Sequence, residues 1–166
     1  MSDLGIQLDD LYGEKELHIE EQDIRILKAL VSDDKAAREL SAICSYDLFV
    51  GDARLFAEAA LGYFKTYNQL PTKRIMLDQV KGDNCFEQIW NEIDGVEYNY
   101  SEFGYDLEKI KDRFTKKQIL KLRDKLEDGL ETEQLENVLK EVRSNIDYTE
   151  KIRRGKEQVY IQKTKY

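Results

Sequence analysis

Proline is almost missing from this chain, with Pro71 the only one in 166 residues, and glycine is scarce at nine. These are the residues that interrupt helices and shape tight turns, so their scarcity predicts long helices and few strands. Histidine is scarcer than most catalytic or metal sites require. His18 stands alone, and the two cysteines, Cys44 and Cys85, lie far apart with no CxxC spacing. A Cys/His metal set or a Ser–His or Cys–His relay has almost nothing to draw on. The thiols read as reduced and partly buried in a cytosolic protein. No apolar run approaches the ~20 residues of a membrane span. The N-terminus has no basic-then-apolar leader pattern, so a cytoplasmic location is expected. The phosphate-loop pattern is missing as well: Gly155-Lys156 is followed by Glu157, with no glycine at the required offset.

Charge is abundant, at 36% of residues, but it is uneven. Residues 1–34 hold ten acids against three bases, residues 35–105 eleven against seven, and residues 106–166 thirteen against sixteen. The net charge of −8 disfavours nonspecific nucleic-acid binding by the whole chain. The basic excess of the last third is what a solvated helix face carries. Neighbouring carboxylates such as Asp9-Asp10, Glu20-Glu21 and Asp33-Asp34 fall in the lead or at helix starts, where ionised acids are stabilised. Acid–base work needs one member in an apolar pocket with a raised pKa. No catalytic residue, cofactor site or metal site is assigned.

The densest apolar pattern runs from Tyr46 to Val80. Asp52 is placed to cap a helix. Behind it Phe56, Ala59, Ala60, Tyr63, Phe64 and Tyr67 recur at helical spacing, predicting one buried face. Asn68, Gln69 and Pro71 end this helix, and Thr72 caps a short one carrying Ile75, Met76, Leu77 and Val80. Before this stretch comes an acidic, poorly ordered lead, residues 1–19. Then follow a helix from Asp23 to Val31, with Ile24, Leu27, Leu30 and Val31 on one face, and another through Leu40 and Ile43. After it come a turn at Gly82-Asp83-Asn84, an amphipathic helix with Phe86, Ile89, Trp90 and Ile93, and a tyrosine-rich connector over 96–104.

The last third reads as two long helices. Tyr105 to Asp128 carries Leu107, Ile110 and Phe114, then Ile119, Leu122 and Leu126 after a break in register, with Gly129 as the stop. Thr132 opens the second, where Leu135, Val138, Leu139, Val142 and Ile146 give the cleanest helical period in the chain. With so short a link the two should fold back antiparallel. Residues 155–166 read as a linker or frayed tail. The expected fold is all-α: a small helical bundle, residues 20–104, followed by a long antiparallel helical hairpin, residues 105–154.

Ile119, Leu122, Leu126, Leu135, Val138, Leu139, Val142 and Ile146 are the candidates for the hairpin seam or for self-association, and the sequence does not divide them. Leu120, Leu130 and Ile119 are apolar positions that the seam alone does not absorb. They cover the bundle or meet a second copy. Arg153, Arg154 and Lys156 form the better local cluster for nucleic acid. Tyr98, Tyr100 and Tyr105 either stack on bases or seal the connector.

The order of these elements resembles a known family. EEQDIRILKALVSDD, then YDLFVGDARLFAEAALGYFKTYNQLPT, then FGYDLEKIKDRFTKKQILKLRDKLEDG and its partner helix are together similar to the N-terminal domain of DnaB-type hexameric replicative DNA helicases, particularly divergent phage versions. The resemblance spans residues 20–154. It implies a bacterial or phage-infected cell and a domain that supports hexamer assembly, with hairpins pairing between subunits in a collar. It also implies partners in primase or a helicase loader, and DNA reached only through the parent complex. The ATPase would lie in a RecA-like domain that this sequence does not contain, so no enzymatic activity is expected of this chain. The competing expectations are a helicase-binding domain of a primase or loader-like adaptor, an unrelated helical interaction module, and an enzyme with a carboxylate site of unfamiliar form.

Overall fold

The computed structural model describes residues 19–43, 46–79, 85–132 and 134–164, with Thr132 and residues 155–164 described by backbone alone. Residues 1–18 of the expected lead, with His18, and Cys44, Val80 and the Gly82-Asp83-Asn84 turn lie outside the described residues. Among those described, the chain is all-α. The helices are α1 (Glu21–Ser32), α2 (Asp34–Ile43), α3 (Gly51–Tyr67), α4 (Lys73–Asp78), α5 (Cys85–Asp94), α6 (Tyr100–Thr132) and α7 (Leu135–Thr164), with a 3-10 turn at Tyr46–Leu48.

The centre of the fold is α1. It packs against α2, α3, α5 and α6. A helix touched on several sides must be apolar on more than one face. Ile24, Ile26, Leu27, Ala29 and Leu30 are all buried, so Ile26 and Ala29 extend the single stripe that periodicity alone assigns. On α3 the core face is Ala53, Phe56, Ala57, Ala60, Leu61 and Phe64. Tyr63 is only half-buried and Tyr67 is exposed, so the expected aromatic face is turned by one residue, towards Ala57 and Leu61. Phe56 then meets Phe86 edge-on at 5.3 Å and lies 6.3 Å from Trp90, joining α3 to α5.

The start of α3 differs from expectation. Gly51 has φ +57°, a conformation that a Cβ penalises, and the helix begins there without a side-chain cap. Asp52 lies inside the first turn, where it favours the helix dipole instead of capping. Asn68 ends α3 in the left-handed conformation, its N–H donating to the Phe64 carbonyl at 2.8 Å. Thr72 does cap α4, accepting from the Ile75 amide at 3.4 Å.

The long helices are longer than the sequence suggests. α6 begins at Tyr100, because buried Phe103 extends the Leu107–Ile110–Phe114 stripe by a turn. It continues through Gly129 to Thr132, and α7 stays helical through Thr164 where a tail is expected from residue 155. Two bidentate ion pairs fix α6 on α1. Arg25 donates to Asp106 at 2.9 and 2.8 Å, and Arg113 donates to Asp23 at 2.6 and 2.8 Å and to the Leu48 carbonyl at 2.9 Å. Each pair holds its guanidinium pKa above the ordinary arginine value, chiefly through the hydrogen bonds. One pair has its acid on α1 and the other on α6, so the antiparallel direction and register are both specified.

The connector is tied down by its tyrosines. The Tyr98 hydroxyl donates to Asp33 at 2.6 Å and that of Tyr100 to Glu39 at 2.7 Å. Burial and then the Asp33 carboxylate push the Tyr98 phenol pKa up. Folding therefore favours the protonated phenol. Its contribution is whole below the ordinary value of about 10 and is lost as pH rises through the folded value. Tyr98→Phe is expected to show a shallower alkaline loss of stability than the wild type, measured by urea unfolding from pH 9 upward.

Candidate functional site

The last two helices run back along each other, and their contacts give the register. Asn145 donates to Gln118 at 3.1 Å, Lys125 lies 3.6 Å from Glu141, and Arg153 donates to Asp112 and Thr115, each at 2.9 Å. Near the tip, a Cβ on Gly129 would overlap the Val138 side chain. Gly129 is thus a point of close helix approach and not a helix stop. The register break after Phe114 has its explanation here too: Gln118 occupies the seam position, buried and hydrogen-bonded, where an apolar residue would have kept the stripe unbroken. Gly129→Ala is expected to wedge the tip apart at a cost of about 1–3 kcal/mol, seen as faster amide exchange confined to the distal turns of α6 and α7.

This seam sorts the eight candidates. Leu122 follows Gln118 by one turn and is half-buried, as are Val138 and Val142 on the opposite helix. Ile119, Leu126, Leu135, Leu139 and Ile146 are exposed, and Leu130 is the most exposed of all at 73%. On α6 these apolar residues lie about 100° around the helix from the seam. On α7 the offset has the same sense along the sequence. Because the helices are antiparallel, equal offsets bring both stripes to one side of the hairpin. The register then sets Ile119 beside Ile146, Leu126 beside Leu139 and Leu130 beside Leu135. The face is about 17 Å long and two helices wide, about 20 Å. Isolated exposed apolar residues need no explanation, whereas these lie together on one side of the hairpin.

The face is confined to the distal part of the hairpin. The head meets the hairpin on its other side, through the α1–α6 ion pairs, the buried Ile152, and the Tyr148 hydroxyl that donates to Asp47 at 2.5 Å. Apart from Gly129, no described residue between 119 and 147 is fully buried. Charges flank the face in bands: Arg123 and Arg143 at one level, Glu127 and Glu136 nearer the tip.

The nucleic-acid candidates are not drawn together. Arg153 is engaged with Asp112 and Thr115, and its carbonyl accepts from Lys111 at 3.3 Å. Arg154 is exposed, and the Lys156 side chain lies outside the described residues. Tyr105 is exposed with Lys109 stacked over its ring at 4.6 Å, whereas Tyr98 and Tyr100 are turned back onto the head. Among the described residues no cluster of histidine, cysteine or carboxylates could hold a metal ion, and no helix is long and apolar enough to cross a membrane. The sequence matches no family model, no curated protein and no solved structure.

Proposed function

We propose that this chain is the oligomerising and partner-docking domain of a replicative DNA helicase, acting through its hairpin and not through catalysis. The observation that carries the reading is the apolar face on the distal hairpin. A head with a projecting, one-sided hairpin is an assembly device: the head fixes the direction of the hairpin, and the face finds a second copy. The helicase context rests on the resemblance of residues 20–154, and supplies the reason such pairing would be used.

A two-fold axis near the level of Leu126 and Leu139 accounts for the face and its flanks together. It sets Ile119 and Ile146 of one chain against Leu130 and Leu135 of the other. It also sets the Arg123/Arg143 band against the Glu127/Glu136 band of the second copy, so that charge selects the register. The area is below that of a standard specific interface, so pairing of this domain by itself is weak. In the parent assembly the motor ring would add its own contacts. The same pairing leaves the heads free for primase or a helicase loader.

The test is binding to the replication proteins of the source genome, measured by calorimetry with the primase and the loader separately. Saturable binding of one of them to the chain, with no ATP hydrolysis by the chain, is expected. Binding to neither of them, or ATP hydrolysis by the chain, contradicts this reading.

A further inference from the structure

A second surface lies on the head, between α3 and α4. It is an open groove of about 510 Å³. Half-buried Ala59 and Ile75 line it, and so do Tyr63 and Tyr67, whose rings lie 4.6 Å apart. Tyr67 is 61% exposed, so this aromatic surface reaches solvent. Glu58 from α3 and Asp78 from α4 complete the lining with two carboxylates, and among the described residues no base lines it. Bases close by on α3 are engaged elsewhere. Arg54, one turn before Glu58, is held by Asp47 at 3.0 Å, and Lys65 lies over the Tyr46 ring at 5.6 Å. Arg74 approaches Asp78 only to 3.9 Å, with both side chains largely exposed. The groove therefore offers aromatic rings and two carboxylates with no cation of its own in the lining.

Gly62 also lines the groove, in the interior of α3. A glycine there weakens the helix, and neither usual reason for one applies. Its φ is not positive, and a Cβ would meet nothing within 4 Å. The missing side chain leaves the groove clear. We infer that this groove docks a protein partner and takes an arginine side chain carried on an extended segment of that partner. The guanidinium lays its flat face on a tyrosine ring, and its N–H groups donate to Glu58 or Asp78. Gly62 lets the backbone of the segment pass close to α3. Arginine fits better than lysine, because an ammonium neither stacks flat nor forks. The shape favours a protein segment over a free small molecule. A small-molecule site encloses most of its ligand, whereas an open groove holds one side chain while the rest of the segment passes over it. Lying on the head, the site exists whether or not the hairpins pair.

The test is an NMR titration of the full chain with a capped glycine-arginine-glycine tripeptide, run beside its lysine and citrulline counterparts. The arginine peptide should give saturable shifts of the Gly62, Tyr63, Tyr67 and Ile75 amides in the millimolar range. The lysine peptide should bind roughly threefold more weakly or worse. The citrulline peptide keeps the shape without the charge and should give no saturable shift. Gly62→Gln should fill the groove and abolish the response, with a urea midpoint at or above that of the wild type. Glu58→Gln combined with Asp78→Asn should weaken binding by about fivefold. Both of these positions are exposed, so this variant keeps the test sound if Gly62→Gln folds poorly. The absence of a saturable shift at these amides overturns the proposal, as does an affinity unchanged in both variants. Equal shifts at the acids of the distal hairpin, or equal binding of the citrulline peptide, overturn it too.

Discussion

Asp23→Ala is expected to destabilise the fold by about 3 kcal/mol, lowering the urea midpoint by roughly 1–2 M for a slope of the usual size. The Asp23 side chain is 5% exposed, and it holds both terminal nitrogens of Arg113, whose side chain is 26% exposed. Removing it leaves a guanidinium at the α1–α6 contact with only the Leu48 carbonyl and a loose 3.4 Å approach from Glu20. The residual exposure of Arg113 lets water reach part of it, which sets the expected cost at the lower end of the range for broken buried pairs. Asp124→Ala serves as the contrast. Its pair with Arg123 is 3.4 Å long with both side chains about two-thirds exposed, so its loss should change stability by less than about 0.5 kcal/mol. A double replacement, Asp23→Leu with Arg113→Met, should recover much of the single-variant loss, because the cost lies in orphaning a charge more than in losing a pair. Equal, small effects of Asp23→Ala and Asp124→Ala would contradict the central position given to α1.

Leu139→Asp is expected to weaken self-association at least about 100-fold and to leave the fold intact. In a two-fold pair every substitution appears twice. Pairing buries at most the exposed 58% of each leucine, about 0.9–1.7 kcal/mol each, and the desolvation of two carboxylates carries the total past the roughly 2.8 kcal/mol that corresponds to 100-fold. Leu139 is 58% exposed in the single chain, so the folded monomer loses little. Urea unfolding at a concentration below the association range should shift by less than about 0.5 kcal/mol. Val142→Asp makes the comparison. Val142 is half-buried towards the seam, so the same charge there should lower the stability of the hairpin as well as any pairing. Separating the two variants by fold stability would divide the face from the seam by experiment.

The helical class and the placement of most elements were legible because each leaves a local periodic signal. What escaped depended on partners distant in sequence. Asp23 and the other acids at the start of α1 read as ordinary helix-start charges, and only the fold brings Arg113 to Asp23 across ninety residues. Gln118 and Asn145 look like surface amides until the seam joins them. Gly129 carries the usual signature of a helix stop, and its use for close approach to Val138 is visible only in three dimensions. The division of the hairpin residues failed for a related reason. Leu, Ile and Val on both sides of the seam have the same period, and a one-position difference in sequence separates Val138, half-buried, from Leu139, exposed. The stretch from Tyr46 to Val80 holds the densest apolar pattern, yet the shorter and plainer α1 is the helix that the others surround, as a multi-sided apolar surface has no distinctive period.

The most direct measurement of the central claim is the solution mass of the wild-type chain and of Leu139→Asp, by light scattering from low to high micromolar concentration. The wild-type mass should rise with concentration to that of a dimer, or of a larger species built from dimers, while Leu139→Asp stays at the mass of one 19.5 kDa chain throughout. A wild-type chain that remains a monomer at every concentration, or a Leu139→Asp variant that associates as well as the wild type, would contradict it.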